Sequence, residues 1–600
     1  MNRLLLVSLL IISSQRVFAV DLINETDQVK AATKILDAWH DDQPERGDRF
    51  LHIVCWTPSD RELPTDYQPR LTRMMEHIRG FYAREMERLG FGDRSFNLKY
   101  DDQKQLILHT IRGKHDTNHY AVQSGSEIRN ECLPTLEQAG IDARQETILI
   151  FCNLATWDAE QRRFTHKSPY YAGGSFRGGT AWQLDSPELD SKNLILKQPI
   201  IRDGQYGRIS LGKHNSIFIG GVAHELGHAL GLPHCRARPD EAARGTALMG
   251  SGNRTYGDEL REEGLGSFLT LAHALRLASH PQFSGSIKAM NDRATATIDD
   301  LSITSEGKSI HVSGVIKGEP PVYAVVAYFD PEGGGDYDST TATAVPDSAG
   351  RFELSSDALR RGKRGELRLF PLHVNGSAAG QMSRTKFRYP YGISDDGMPD
   401  LSAIQLRFDL APVLDALARN DQQAATRLAK SITSKKAASI AQHLTQRASP
   451  TQTPAEYDGG LSKVPLTSLK PESSEVGWGR TAFDRVPGQS PLLESAGEIF
   501  ETGIYAHASA RHVYRVDKKW KQLTGKVGLA AGHGGTVEFE ITGDGKRLWK
   551  SRVLKAGTLA EFNVEIEGVV KLELLTHPTD DGPASDWGLW LEPTLSKQAN

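Results

Sequence analysis

The segment that most constrains this chain is the run H-E-L-G-H-A-L-G-L-P-H, which begins at His224 and ends at His234. On a helix, His224 and His228 are four residues apart, so they lie on one face and can reach the same metal ion. Glu225 lies beside them, where it can take a proton from water. Gly231 tolerates a left-handed backbone, so it can end the helix and turn the chain back to bring in His234. Three neutral imidazoles with one open position are typical of catalytic zinc, and we expect one Zn²⁺ ion here.

A second interpretation of this segment is a buried helix whose histidines are incidental. Leu226, Ala229 and Leu230 could supply core contacts without any histidine. A glycine and a third histidine at the required offsets are rare by chance, so we favour the metal site.

The same residues resemble the signature of the metzincin clan of zinc endopeptidases. That clan has a downstream turn whose methionine passes beneath the metal, and Ala247-Leu248-Met249-Gly250 fits this turn. A methionine there offers an adaptable apolar floor for the imidazoles. The resemblance covers about residues 48–283, and its specific part is 224–249. It implies a zinc endopeptidase in which Glu225 acts as general base on water and then delivers the proton to the leaving amine.

The chain departs from the clan just after the methionine. Some metzincins carry a tyrosine ligand two positions further on, where this chain has Ser251. Tyr256 lies beyond it, and we do not count it as a ligand. The subfamily therefore stays open.

The N-terminus has the three parts of a secretory signal peptide. Arg3 gives a positive start, residues 4–12 are apolar except for one serine, and Val17-Phe18-Ala19 fits the cleavage rule. We therefore predict a signal peptide over residues 1–19 and a secreted or periplasmic protein; a buried N-terminal strand or helix is the alternative.

The chain has no later run of eighteen apolar residues, so we expect no transmembrane anchor in the mature protein. A net charge of −4 and the lack of a Lys/Arg-dense stretch make nucleic acid an unexpected partner.

The four cysteines are compatible with an exported protein. Cys55, Cys132, Cys152 and Cys235 could form two disulfides in three connectivities, or some could stay as buried thiols. Their spacing matches no zinc ribbon or finger.

The pattern of elements predicts a multidomain chain. Residues 48–283 alternate between strands and helices, which favours an α/β peptidase domain with a mostly parallel sheet. We expect strands over 50–56, 96–100, 106–111 and 147–152, an edge strand over 179–184, and helices over 67–89 and 125–139. Residues 286–391 alternate as a β-sandwich does, with stretches at 309–316 and 322–328 broken by glycines 333–335. A helical segment over 400–447, a linker over 448–458 and a strand-rich module over 459–597 follow.

The last module resembles the NPCBM family of carbohydrate-binding β-sandwiches. The blocks that carry the resemblance are Leu461-Ser462, Gly477-Trp478-Gly479, Gly503-Ile504-Tyr505-Ala506-His507-Ala508, Gly543-Asp544-Gly545 and Asp586-Trp587. The resemblance implies glycan binding without catalysis. Candidate sugar contacts are Trp478, His507, Asp586 and Trp587, because rings stack on sugar faces and polar groups bind hydroxyls. The alternative is that the tryptophans are core residues and His507 supports a turn.

These patterns together favour a secreted zinc endopeptidase that its C-terminal module directs to glycosylated or cell-surface material. Its partners would be a protein or glycoprotein substrate and a glycan. Two alternatives remain: a non-catalytic glycan-binding adhesion protein, and a zinc amidase acting on a glycan-linked amide. An adhesion scaffold would have no need of Glu225. From its position before the metal helix, we also expect segment 169–187 to border the cleft.

Overall fold

The computed structural model describes residues 24–332, 336–378, 386–446, 450–457, 461–487 and 492–598. The signal peptide predicted over 1–19 and the glycines at 333–335 lie outside these residues, as do parts of the predicted linker and C-terminal module. The chain forms two compact units. The first comprises residues up to 388 together with 395–398, and the second comprises 389–394 together with the residues from 399 onward.

The N-terminal part of the first unit alternates between strands and helices. Its elements are α1 Glu25–Asp41, β1 Leu51–Thr57, α2 Tyr67–Leu89, β2 Leu108–Arg112, α3 Gly125–Gln138, β3 Thr147–Cys152, β4 Ala155–Asp158, β5 Arg163–His166, β6 Tyr171–Ser175, β7 Gly178–Leu184, β8 Ile200–Asp203, β9 Gly207–Ser210, α4 Leu211–Ala229, β10 Thr246–Ala247, β11 Ser267–Phe268, α5 Leu271–Ala278 and α6 Pro281–Ser284.

The central sheet has the strand order β2-β1-β3-β7-β6. The first four strands pair in parallel, and only β6 runs antiparallel, to β7. β1 and β3 are buried along their whole length, as expected for inner strands covered on both faces. The expectation of a mostly parallel sheet is confirmed. The edge position expected for 179–184 is wrong, because β6 adds a further strand outside β7. The sequence did not predict β6 because Gly173 and Gly174 have low strand propensity.

The strand expected over 96–100 is also wrong. Residues there make a single bridge, between Tyr100 and Leu106, and the strand that follows is β2. The Asp101 carboxylate accepts hydrogen bonds from the backbone amides of Gln103 and Gln105, at 2.9 Å each. These bonds stabilise a side-chain turn that joins the two residues of the single bridge, Tyr100 and Leu106.

The two helices expected upstream of the histidines are confirmed as α2 and α3. α2 ends at Gly90, whose φ of 98° is the left-handed conformation that glycine favours. Its apolar stripe is buried, and its members are Leu71, Met74, Met75, Ile78, Tyr82 and Met86.

The rest of the first unit is a β-sandwich. Its strands are β12 Thr295–Glu306, β13 Ser309–Glu319, β14 Val322–Pro331, β15 Thr340–Ala344, β16 Arg351–Ser356 and β17 Lys363–His373. β13 lies between β12 and β16, and β14 lies between β15 and β17, all antiparallel. β14 is buried almost throughout, and Tyr323, Val326 and Tyr328 share one hydrophobic core with residues of α2, α4 and α5. The sandwich therefore packs directly on the part that carries the histidines.

The second unit begins with short strands and helices and continues as a β-sandwich. Its elements are β18 Arg388–Ile393, β19 Pro399–Asp400, α7 Ser402–Ala418, α8 Gln422–Ser431, α9 Lys435–Thr445, β20 Lys463–Pro465, β21 Ser473–Glu475, β22 Leu493–Ser495, β23 Glu498–Phe500, β24 Gly503–His507, β25 Ala510–Arg515, β26 Gln522–Leu529, β27 Thr536–Gly543, β28 Lys546–Lys550, β29 Leu554–Lys555, β30 Leu559–Glu565, β31 Lys571–Pro578 and β32 Trp587–Ser596.

Two antiparallel sheets enclose the core of this unit. One has the order β20-β32-β26-β30, with β24 also pairing β32, and the other has the order β21-β25-β31-β27-β28. Trp520, Phe539 and Trp590 lie between them. The predicted linker is not free of this core over 450–457, because Pro454 accepts a hydrogen bond from Trp520 Nε1 at 3.3 Å.

Candidate metal centre

The three histidines of the motif converge on one point. α4 carries His224 and His228 on one face, and His234 follows the end of the helix. One ring nitrogen from each histidine lies within 4.8 Å of the other two. The Nε2 atoms of His228 and His234 are 2.9 Å apart. The chain thus brings together the three ligands expected from the sequence.

Backbone carbonyls orient the two helical histidines. Nδ1 of His224 lies 2.7 Å from the carbonyl oxygen of Leu248, and Nδ1 of His228 lies 2.8 Å from that of Leu232. A carbonyl only accepts, so Nδ1 carries the proton in each neutral ring and Nε2 keeps its lone pair.

Burial keeps the imidazoles neutral. It lowers the pKa of His224 to about 3 and that of His234 to about 4, and it also lowers the pKa of His228. Three neutral imidazoles with nitrogens close together, two of them oriented by backbone carbonyls, fit the donor set that zinc takes in catalytic sites.

Gly231 turns the chain as the sequence predicts. Its φ is 85°, in the left-handed region. The amide of Leu232 donates to the carbonyl of Gly227 at 2.9 Å, and the amide of Gly231 donates to that of His228 at 3.0 Å. This pattern closes the helix and directs the next residues back towards its face.

Glu225 lies beside the histidines in a buried position, with only 7% of its surface exposed. Burial raises the pKa of its carboxyl group to about 7. A carboxyl group with that pKa can both accept and release a proton near neutral pH. Burial also raises the pKa of Tyr170 and of Tyr337, and the charge of Glu225 adds to the effect on both tyrosines.

The turn that carries Met249 lies against α4, the helix that carries His224 and His228. Met249 is fully buried, and a Cβ placed on Gly227 would lie 2.5 Å from its sulfur, so glycine allows this close approach. Tyr256 is also buried, with its ring 5.6 Å from that of His77 and 5.2 Å from that of Phe81. It packs in the core, in keeping with its exclusion from the ligand set.

The sequence did not indicate that the sandwich reaches this centre. Tyr337, in the turn between β14 and β15, stacks on His234 with 3.6 Å between ring centroids and 27° between ring planes. Asp336 lies next to it, and its charge acts on His234. No motif marks Tyr337, because its position depends on the docking of the two parts of the unit.

Part of the segment expected to border the cleft, namely β6, lines a cavity that also includes His228. A cavity of about 520 Å³ is lined by Ala172 to Phe176 and by His228, Leu230 and Gly231, together with residues of the sandwich. Gly174 and Gly179 lie so close to the end of α4 that a Cβ on either would overlap the carbonyl oxygen of Ala229.

A second group of possible ligands is exposed. His119 Nε2 lies 2.8 Å from Glu127 Oε1, and the ring of His115 stacks on that of His119 at 4.0 Å. Because Glu127 already pairs with His119 and the histidines are open to solvent, we assign no metal to this group.

All four cysteines are buried free thiols. Burial raises the pKa of Cys132 and of Cys235 to about 12, so both are protonated at neutral pH. The sequence left open whether these cysteines form disulfides or remain thiols, and in the structure they are thiols.

The four candidate sugar contacts lie together in the second unit. Trp478 is 53% exposed, and its ring lies 4.9 Å from that of Trp587 and 6.2 Å from that of His507. Trp587, His507 and Asp586 are buried. His533, which the sequence did not single out, stacks on Trp587 at 4.1 Å.

The two carboxylate oxygens of Asp586 differ in their hydrogen bonding. Its Oδ1 accepts a hydrogen bond from the amide of Thr536 at 3.0 Å, whereas Oδ2 has no partner among the residues described. Of the four candidates, Trp478 alone is exposed to solvent, and the other three are buried.

Comparison with known proteins identifies the C-terminal region. Residues 462–596 match the sequence profile of the NPCBM/NEW2 domain family, which confirms the NPCBM prediction there. A "Putative endo-alpha-N-acetylgalactosaminidase" of Renibacterium salmoninarum is 29% identical to this chain over 143 residues. The match takes up 20% of this chain and 10% of that protein, so the chain spans about a tenth of that relative's length.

Solved structures with a likeness to this chain include OgpA of Akkermansia muciniphila. The wild-type crystal structure is 26% identical with a TM-score of 0.48, covering 59% of this chain and 96% of OgpA. The catalytically inactive form, solved with an O-glycopeptide substrate, is 24% identical with the same TM-score, covering 58% and 94%. Over the part of the chain that the structure describes, every helix is too short or too polar to cross a membrane.

Proposed function

We propose that this chain is an exported zinc-dependent endopeptidase that cleaves glycosylated or cell-surface proteins. The convergence of His224, His228 and His234 beside a buried Glu225 carries the proposal. A carboxyl group next to three neutral imidazoles is the arrangement needed to hydrolyse an amide bond, and a binding scaffold has no use for it.

The histidines and Glu225 have different roles in the proposed reaction. A zinc ion bound there would supply a Lewis acid that acidifies water and polarises a carbonyl group. His224 and His228 present their Nε2 atoms because Leu248 and Leu232 hold the opposite nitrogens. Glu225 accepts the proton of the attacking water and passes it to the leaving amine, a transfer that suits its pKa of about 7.

A peptide substrate is favoured by the position of β6 beside His228. β6 is the outer strand of its sheet and lines the same cavity as His228. Its free edge can pair with an extended chain, as peptide-binding proteins often do. The glycines at 173 and 174 carry no side chain that would hinder such a chain.

The C-terminal module supports the glycosylated target. Residues 462–596 match the NPCBM/NEW2 family, and Trp478 is half exposed beside the rings of Trp587 and His507. An aromatic ring open to solvent can stack on the face of a sugar. We infer that this module retains the enzyme on glycosylated material.

The test compares one protein substrate in O-glycosylated and deglycosylated form. The purified chain, with and without a chelator, is incubated with each, and new termini are mapped by mass spectrometry, with Glu225→Gln as the control for contaminating proteases. We expect chelator-sensitive cleavage that is faster on the glycosylated form. Release of glycan-linked amine without new peptide termini would favour the amidase instead, and absence of any product with a zinc-loaded protein would favour the adhesion protein.

A further inference from the structure

The three histidines of the metal centre are not held in the same way. Nδ1 of His224 and Nδ1 of His228 each donate to a backbone carbonyl. Within the described residues, Nδ1 of His234 makes no such bond. A metal-binding imidazole is usually oriented by a contact behind it, and losing that contact weakens metal binding.

The ring of Tyr337 instead contacts the face of the His234 imidazole. Its centroid is 3.6 Å from that of His234, and the two ring planes are inclined by 27°. The ring also lies nearly parallel to that of His224, at 6.5 Å and 7°. A ring stacked this closely restricts rotation of the His234 imidazole about its Cβ–Cγ bond, because that rotation would drive the ring edge into Tyr337.

The turn that carries Tyr337 is tied down at both ends. Arg368 donates to the carboxylate of Asp336 at 3.0 Å and to that of Asp330 at 2.6 Å. The amide of Arg236, two residues after His234, donates to the carbonyl of Ser339 at 2.8 Å. Residues on both sides of Tyr337 are therefore hydrogen-bonded, and one of these bonds links them to the segment that carries His234.

We propose that Tyr337 is a positioning residue that fixes the plane of the His234 imidazole, so that the β-sandwich completes the metal centre. The inference rests on the proposed zinc site. It extends the functional unit from residues 48–283 to the sandwich, since the peptidase part alone would leave His234 free to rotate.

The experiment measures zinc affinity by competition with a chelator for the full chain and for Tyr337→Leu and Tyr337→Phe. Phenylalanine keeps the stacked ring, so its dissociation constant should stay within about 2-fold of the unaltered protein. Leucine removes the ring and should raise the dissociation constant by roughly 10-fold, the lower end of the effect of losing an orienting partner. Tyr100→Leu is the matched control, because Tyr100 is also partly exposed and contacts none of the three histidines.

A spectroscopic measurement separates positioning from general loss of structure. With Co²⁺ in place of zinc, Tyr337→Leu should change the visible absorption of the metal, and Tyr337→Phe and Tyr100→Leu should not. If leucine at 337 fails to fold, Tyr337→Ser provides a second variant without the ring. Unchanged affinity and spectrum in the ringless variant would overturn the inference, as would a phenylalanine variant as weak as the leucine one. Failure of the unaltered protein to bind zinc would instead overturn the proposed function.

Discussion

His224 donates from Nδ1 to the carbonyl oxygen of Leu248 across 2.7 Å, which links α4 to the residue just before Met249. Met249 itself lies against Gly227, in the turn of helix between His224 and His228. The turn is therefore held by one hydrogen bond and one close packing contact. The hydrogen bond acts on a proposed metal ligand, and the packing contact acts on the residue next to another, His228.

Replacement of Met249 by alanine should weaken both stability and zinc binding. The side chain is fully buried, so its loss leaves a cavity and lowers the free energy of unfolding by about 2–5 kcal/mol. The Leu248 carbonyl also loses its support, so zinc affinity should fall. Met86→Ala, at a buried position on α2, is the control: it should lower the free energy of unfolding with a smaller change in zinc affinity. Equal zinc affinities for the two variants would contradict the coupling.

Replacement of Glu225 by glutamine should abolish turnover while zinc is retained. Glutamine preserves the shape of the side chain but cannot take a proton, and loss of a general base typically costs about 10²- to 10⁴-fold in rate. Metal content by atomic emission and kcat on a glycosylated peptide are the two measurements. A variant that keeps its zinc and more than a tenth of its activity would show that another group serves as base.

Replacement of Gly179 by alanine should displace the end of α4. The new methyl group would overlap the backbone carbonyl of Ala229, which cannot rotate away as a flexible side chain can. We expect a clear fall in the midpoint of thermal unfolding and in zinc affinity. Gly140→Ala is a control for the loss of a glycine, because a Cβ there meets no atom within 4 Å, although its φ of 76° carries its own strain. A Gly179→Ala protein as stable as that control would contradict the close packing of β7 on α4.

Trp478 and Trp587, two of the tryptophans of the C-terminal module, should respond differently to replacement by alanine. Trp478 is 53% exposed, so its loss should reduce glycan binding with little effect on stability. Trp587 is 7% exposed and lies among Tyr505, Leu589 and neighbouring core residues, so its loss should lower the unfolding midpoint as well. Glycan-array binding and calorimetry on the full chain measure the two effects. Unchanged binding by Trp478→Ala would remove it from the sugar site.

His512 should make the stability of the second unit fall in mild acid. It is fully buried on β25, and burial lowers the pKa of its imidazole to about 4. Between that value and about 6.5 the unfolded chain binds a proton that the folded chain does not, so stability falls as the pH is lowered. The slope from this group reaches about 1.4 kcal/mol per pH unit.

Calorimetry at pH 7 and pH 5 tests this effect with His512→Gln, which cannot titrate. The variant should lose less stability between the two values than the unaltered protein does. His311→Gln, at a partly exposed position on β13 of the other unit, is the control. An identical loss in His512→Gln and the unaltered chain would show that other groups dominate the acid response.

Local patterns predicted those features that depend on neighbours in the chain. The spacing of Leu71, Met75, Ile78 and Tyr82 predicted α2, and its stop at Gly90 was visible as well. β6 was missed because its glycines give no strand signal, and the edge assigned to 179–184 was wrong for the same reason. A strand's place in a sheet depends on partners that are distant in the chain.

The sequence by itself determined the spacing of His224 and His228, the turn at Gly231 and the proximity of Glu225, because helix geometry and glycine's freedom act over a few residues. Only the tertiary structure decided that Tyr337 lies on His234 and that His533 lies on Trp587. Those contacts join segments far apart in the chain, and burial of apolar surface between whole elements, which no local pattern records, brings them together.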